Sequence, residues 1–380
     1  MIADLLARLI AFPTVSSASN LDCLGWIEAE LAGPNTTFRR FPNEDGTKAN
    51  LLVTIGPEAP GGLLLSGHTD IVPTEGQAWT GDPFAMRRAD GRLVGRGATD
   101  MKGFLAVMMA LAQSLDPGRL TRPLHLAFSY DEEVGCTGVG CMAEWVGASG
   151  LAPRLAVIGE ASSMRLIDGH KGGLIGWGVV TGKPGHSSQP DRYVNAVMAA
   201  AEVISFISRI RAEMRETGPR ADGFDPPYST IQVNTIKGGL HGNIVAESCR
   251  FFWEMRVVPG ADDWAVFERF RDFAAREVEP AMKAVDPGTG IAFEILSRIP
   301  ALKPEPAANL APLARLLDSP VPRKVAYGTE AGIFQKAGVP SVVCGPGDVA
   351  QAHQPDEFIA EADLQDCFRV MERLVGNELM

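Results

Sequence analysis

The stretch LLLSGHTDIVP (residues 63–73) sets an apolar run directly before a His and an Asp two residues apart. Three consecutive leucines leave no polar face. The run therefore reads as a strand buried on both sides, as in a parallel sheet. The abrupt change at Ser-Gly-His-Thr-Asp marks the end of that strand. Three more stretches repeat the pattern: PLHLAFSYDEEVG (123–135), RLAVIGEAS (154–162) and PSVVCGPG (340–347). Helical patterns lie between them. In DMKGFLAVMMALAQSLD (100–116), Leu105, Met108, Met109 and Ala112 share one stripe, and Asp116-Pro117-Gly118 ends it. Such alternation indicates an α/β fold with a mixed, mostly parallel sheet flanked by helices.

From about Gly169 the texture changes. GLIGWGVVTG, STIQVNTIKGG, CRFFWEMRVVP and IAFEILSRI read as strands, with helical patterns at 195–214 and 262–278. The order β-α-β-β-α-β is ferredoxin-like. We expect a small α+β domain inserted at 168–298, with 1–167 and 299–380 forming the main domain.

A chain of 380 residues suits two such domains. Its 35 Lys and Arg against 46 Asp and Glu give a net charge of −11, which argues against nucleic acid or anionic membrane as a partner. No apolar stretch reaches the ~20 residues of a spanning helix. MIADLLARLIAFPTVS carries Asp4 and Arg8 at helical spacing and lacks signal-peptide features, so it reads as an amphipathic surface helix. The six cysteines are scattered; Cys136 and Cys141 alone make a poor zinc site. Reduced thiols in a cytoplasmic protein are the simpler expectation.

Ligands of open parallel sheets bind beyond the carboxyl ends of the strands. The residues expected there are His68 and Asp70, then Asp100, the Asp131-Glu132-Glu133 run, Glu160, and His353 near the end. Each has a bland use by itself. His68 can serve a loop, Asp100 can cap a helix, and DEEVG can be a solvated turn. Structure does not require acidic groups at every one of these ends, and their joint occurrence points to metal. Imidazole with carboxylate suits Zn²⁺ or a similar ion. Two His and three carboxylates exceed one tetrahedral site and match two ions sharing a bridging carboxylate. Asp70 can orient His68 through its other ring nitrogen. Motifs for a serine nucleophile elbow, a phosphate-binding loop or a zincin helix are absent.

Taken together, SGHTDIVP, GDPFAMRRADGRLVGRGATDMKG, SYDEEVGCTG, GEAS, GKPGHSSQP, NIVAESCRFFWEMRVVPG and CGPGDVAQAHQPDEF resemble the dinuclear-zinc aminoacylase and exopeptidase family, over nearly the whole chain. That family includes acetylornithine deacetylase, succinyl-diaminopimelate desuccinylase and carboxypeptidase G. The resemblance implies a zinc exopeptidase-like catalytic domain and an inserted lid that also makes a homodimer. It implies His68, Asp100 and Glu160 on one Zn²⁺, and Asp100, Glu133 and His353 on the other, with Co²⁺ a plausible substitute. Glu132 takes the place of the general base. His186, from PGHSS, would reach a partner's active site, and Asn243 and Arg256 match positions that touch substrate.

The stretch YGTEAGIFQKAGVPSVVCGPGDVAQAHQPDEF resembles the acetylornithine deacetylase branch, an activity of arginine biosynthesis. Gly332 and Ala246 stand where that branch commonly has Pro. The implied substrate is a small N-acylated amino acid. Charge complementarity makes Glu330 the candidate partner of an ornithine ammonium. Desuccinylase, acetylcitrulline deacetylase and broad aminoacylase activities share the same metal residues, so only the substrate pocket separates them. A non-catalytic binding protein on this scaffold could dispense with Glu132.

Overall fold

The computed structural model describes residues 1–318 and 320–380. Its main sheet has eight strands. Their order is Thr36–Pro42, Ala49–Ile55, Leu124–Ser129, Leu63–His68, Leu155–Ala161, Ser341–Gly345, Ile167–His170 and Arg323–Val325. The four strands from Leu124–Ser129 to Ser341–Gly345 run parallel, and the two at the Thr36 end are antiparallel. The parallel strands are the four apolar runs of the sequence, and Leu63–His68 is buried along its whole length.

The helix Lys102–Ser114 departs from the single-stripe expectation, since every residue from Lys102 to Ala112 is buried. It packs on the strand Leu63–His68 and is enclosed by the helices Ile2–Ile10, Leu21–Leu31 and Glu361–Leu379. No face is left for solvent, so a nearly continuous apolar sequence is required. The first helix behaves as its pattern indicates: Ile2, Leu5, Leu6, Leu9 and Ile10 are buried, while Asp4 and Arg8 are exposed. Lys102 is the one charged residue in the buried run. Its Nζ donates to the Leu9 and Phe12 carbonyls at 3.1 and 2.7 Å, which satisfies the ammonium and closes the end of that first helix.

Two strand glycines let the buried helix approach. A Cβ on Gly67 would lie 2.7 Å from a Leu105 methyl, and one on Gly159 would lie 1.9 Å from the Phe104 ring. These glycines immediately precede His68 and Glu160.

The chain divides into two compact units. One comprises Met1–Gly169, Leu302–Lys324 and Thr329–Met380, and the other His170–Ala301 and Val325–Gly328. The sequence boundaries of 167/168 and 298/299 are displaced for a pairing reason. Ile167 pairs with Val343 in the main sheet, which retains 168 and 169, while Ile299 pairs with Gly173 in the second unit.

The second unit holds a four-stranded antiparallel sheet ordered Thr230–Gly238, Ser248–Val257, Gly172–Thr181, Gly290–Ile299. Its helices Ala196–Thr217 and Asp263–Phe273 are capped by the side chains of Asn195 and Asp262. Alternate residues of Ser248–Val257 face its core, where Trp253 meets Phe267 and Phe270 at ring-centroid distances of 5.6 and 5.1 Å. Among the described residues no helix is long and apolar enough to cross a membrane.

Candidate metal centre

Four of the expected site residues stand where the parallel strands end. His68 closes Leu63–His68, Glu160 is the second-to-last residue of Leu155–Ala161, and Glu132 and Glu133 follow Leu124–Ser129. Asp100 and His353 correct the sequence expectation, because neither sits at a main-sheet strand end. Asp100 lies between the short strand Arg92–Val94 and the buried helix. His353 lies between the turn Val349–Gln351 and the strand Phe358–Ala360. Those two short strands pair with each other in a separate three-stranded sheet.

Asp100 joins the two sets. Its Oδ1 is 3.0 Å from His68 Nε2, and its Oδ2 is 3.1 Å from His353 Nε2. One carboxylate thus offers an oxygen to each imidazole. The helix that follows takes Met101 as its N-cap and has no side-chain cap, so Asp100 does no capping work. Glu160 Oε1 is 3.7 Å from His68 Nε2, and Glu133 Oε2 is 3.0 Å from His353 Nε2. Ligand atoms of His68, Glu132 and Glu160 fall within 4.8 Å of one another, as do those of His68, Asp100 and Glu133. Glu132 is therefore within reach of an ion held there.

Charge crowding tests the fit to metal. Burial, reinforced by Asp100, raises Glu160 well above the carboxylate range and raises Glu133 too. Burial and the adjacent carboxylates push Glu132 up to about 8. Hydrogen bonds to Asp100 and Glu133 raise His353 to about 10. Burial opposes charge on His68, yet Asp100 and Asp70 raise it well above its usual value. Asp100, flanked by both imidazoles, is held well below the carboxylate range despite its burial. An acidic cluster that holds protons this firmly is one that divalent cations would neutralise. The donor set, two imidazoles and three carboxylates around a shared Asp, fits two such ions.

Asp70 supports this cluster in a different way from the one expected. His68 Nδ1 donates to the Asp70 backbone carbonyl at 2.9 Å, while the Asp70 carboxylate is 3.5 Å from Nδ1. A carbonyl only accepts, so Nδ1 keeps its proton and Nε2 turns to the carboxylates. The Asp70 carboxylate accepts from Ser16 Oγ at 2.7 Å and from the Glu132 and Glu133 backbone N–H groups, both at 3.2 Å. One residue thereby fixes His68 and the acidic turn together.

Three supporting residues escaped the sequence reading. Besides Ser16, Lys48 pairs with Asp131 at 2.6 Å, which steadies a residue with φ of 57°. Cys136 Sγ donates to Glu132 Oε1 at 3.2 Å. Its place four residues after Glu132, inside a glycine-rich turn, was the one available signal.

A family model described as Peptidase family M20/M25/M40 matches residues 64–377. The chain belongs to this family. It is an M20 metallohydrolase, of a family that acts on linear amides and depends on a dinuclear metal centre. An acetylornithine deacetylase of Proteus mirabilis is 34% identical over 98% of this chain and 96% of its own length. One from Photorhabdus laumondii is 33% identical with the same coverage. The M20 fold also matches a metallo-carboxypeptidase of Sulfolobus solfataricus, at a TM-score of 0.73 and 18% identity over 97% of each chain. A dinuclear metal binding peptidase of Bacillus subtilis aligns at 0.62 and 14% identity, over 98% of this chain and 96% of its own.

The remaining sequence candidates divide between the two units. His186, Asn243 and Arg256 belong to the second unit. There, Ser188 Oγ is 2.8 Å from His186 Nδ1, His241 Nδ1 is 2.8 Å from Asn243 Oδ1, and Arg256 pairs with Glu254. Glu330 belongs to the first unit. It is 1% exposed at the start of the helix Ala331–Lys336, and burial pushes its carboxyl up to about 7.

Proposed function

We propose that this M20 hydrolase removes the N2-acetyl group of acetylornithine, releasing ornithine and acetate. The observation that carries the hydrolytic part is Asp100 offering one oxygen to each of two imidazoles, with Glu132 beside them. The substrate is supported by the two deacetylase relatives and by the C-terminal TEA…CGPG sequence.

In this reading His68, Asp100 and Glu160 hold one ion, and Asp100, Glu133 and His353 the other. When bound, the pair supplies Lewis acidity that polarises the amide carbonyl and acidifies a water. Glu132 accepts the proton of that water as its oxygen bonds to the acyl carbon. It then returns the proton to the nitrogen as the C–N bond breaks. Glu132 suits both steps: burial and its acidic neighbours raise its affinity for a proton, and Cys136 fixes one of its oxygens. Asp70 keeps Glu132 and His68 in register. His186 stabilises the developing oxyanion, delivered across a homodimer as the resemblance implies. Arg256 offers a two-pronged donor for the substrate α-carboxylate, and Asn243 a further polar contact.

The test is purified protein loaded with zinc, and separately with cobalt, assayed side by side on acetylornithine, acetylcitrulline and succinyl-diaminopimelate. The highest kcat/KM is expected on acetylornithine. A clear preference for either rival reassigns the substrate, and failure on all three removes this reading. Chelation should abolish turnover and zinc or cobalt should restore it.

A further inference from the structure

The loops carrying Asp100 and His353 share a buried ion pair. Arg96 and Glu357 are each 1% exposed, and Arg96 Nη1 lies 2.7 Å from Glu357 Oε2. The other oxygen of Glu357 accepts the backbone N–H groups of Thr99 and Asp100, at 2.9 and 3.1 Å. Glu357 thereby grips the peptide that carries the shared carboxylate. Arg96 reaches toward the other loop. Its Nη1 lies 3.3 Å from the Gln354 carbonyl, and its Nη2 donates to Gln77 Oε1. Gln77 Nε2 then donates to the His353 carbonyl at 2.9 Å. His353 itself has φ of 62°, a left-handed backbone that a non-glycine residue keeps only under external restraint.

We propose that Arg96 and Glu357 form a positioning pair that presets Asp100 and His353 for metal, with Gln77 as the link to His353. The inference rests on the proposed reading of those two residues as ligands. The chemistry favours these residue types. A carboxylate can accept two N–H groups on one oxygen and a guanidinium on the other. A guanidinium can serve several acceptors in one plane. The Arg96 guanidinium also lies 4.9 Å from the centre of the Trp79 ring, which restricts its orientation. Removing the partners that orient metal ligands typically costs ~10–100-fold in metal affinity. A pair that serves two ligands at once, one of them shared by both ions, should weaken both sites.

The experiment measures metal binding rather than turnover. Apo protein is titrated with Zn²⁺ against a chromophoric chelator, and the Co²⁺ absorption spectrum and apo melting temperature are recorded alongside. Glu357→Gln is expected to bind both ions ~10–100-fold more weakly, with an altered cobalt spectrum. Arg96→Lys keeps the charge but not the fork, and should weaken chiefly the site that includes His353. Gln77→Ala leaves the buried pair intact, so it should fold normally and show a smaller loss confined to that same site. It carries the test if the other variants do not fold. Wild-type affinities and spectrum in a folded Glu357→Gln protein, or in Gln77→Ala, would overturn the proposal. A wild-type chain that takes up no ions overturns the metal-centre reading and this inference with it.

Discussion

His68, Glu133 and Glu160 stand on the rim of the parallel sheet, whereas Asp100 and His353 hang on loops tied to a small sheet outside it. The rim set inherits its position from the core. Gly67 and Gly159 admit the buried helix, the strands cannot shift, and the residue after each glycine is aimed before any ligand arrives. The loop set has no such backing. The His353 side chain is 51% exposed while that of His68 is fully buried, and the loops depend on polar ties instead. Packing therefore aims one half of the centre, and hydrogen bonds aim the other.

The largest expected effect falls on the rim residue proposed to move the proton. Glu132→Gln should lower kcat by ~10²–10⁴-fold and still bind two ions per chain. Unchanged kcat with metal retained would assign proton transfer elsewhere. Next, Gly159→Ala should destabilise the fold by about 1–3 kcal/mol, because its Cβ would enter the Phe104 ring. A urea melt matching the wild type would show that the helix tolerates displacement and that the rim is not fixed by packing.

The comparison is sharpest between the two imidazoles. His68→Ala and His353→Ala should each impair metal binding. Only His68→Ala should also destabilise the apo protein, by about 1–3 kcal/mol, because it strips partners from buried groups. His353→Ala should stay within about 0.5 kcal/mol of wild type. Equal apo stabilities would break the distinction.

The smallest effect tests the sheet away from its ligand edge. His125 is buried beside Thr54, at 2.9 Å, near the opposite end of the strand leading to Glu132, and burial lowers it from 6.5 to about 4. Above pH 6.5 the imidazole is neutral in both states and its contribution is constant. As pH falls below 6.5 the unfolded chain takes up a proton that the native chain refuses, so stability declines until about pH 4. Between pH 6.5 and 5.5 this amounts to about 1 kcal/mol. Groups at the metal centre titrate identically in both proteins, so urea melts at the two values should show wild type losing about 1 kcal/mol relative to His125→Gln.

Much of this was legible in the residues. Four apolar runs announced four parallel strands, and polar residues after three of them announced the rim. The chain pattern of the insert also announced its antiparallel sheet. Asp100 and His353 were found by residue type, yet they were assigned to strand ends they do not occupy. Their route to the site runs through a sheet of three-residue strands, too short for any periodicity to reveal. Arg96 and Glu357 were passed over because charged residues in loops read as solvated. Glu330 was chosen by charge alone, and its burial is a property of the packing that charge does not reveal.

By itself, then, the sequence determined which elements form and which side chains can bind metal, since periodicity and donor chemistry are local properties. Tertiary structure alone decided that Asp100 lies between two histidines more than 200 residues apart in the chain. It also decided that Asp70 grips the acidic turn through its carboxylate and His68 through its carbonyl, and that Glu357 holds the Asp100 peptide. The reason is physical. A buried charge has to find its partners wherever the packed elements bring them, and no local pattern along the chain encodes that distance.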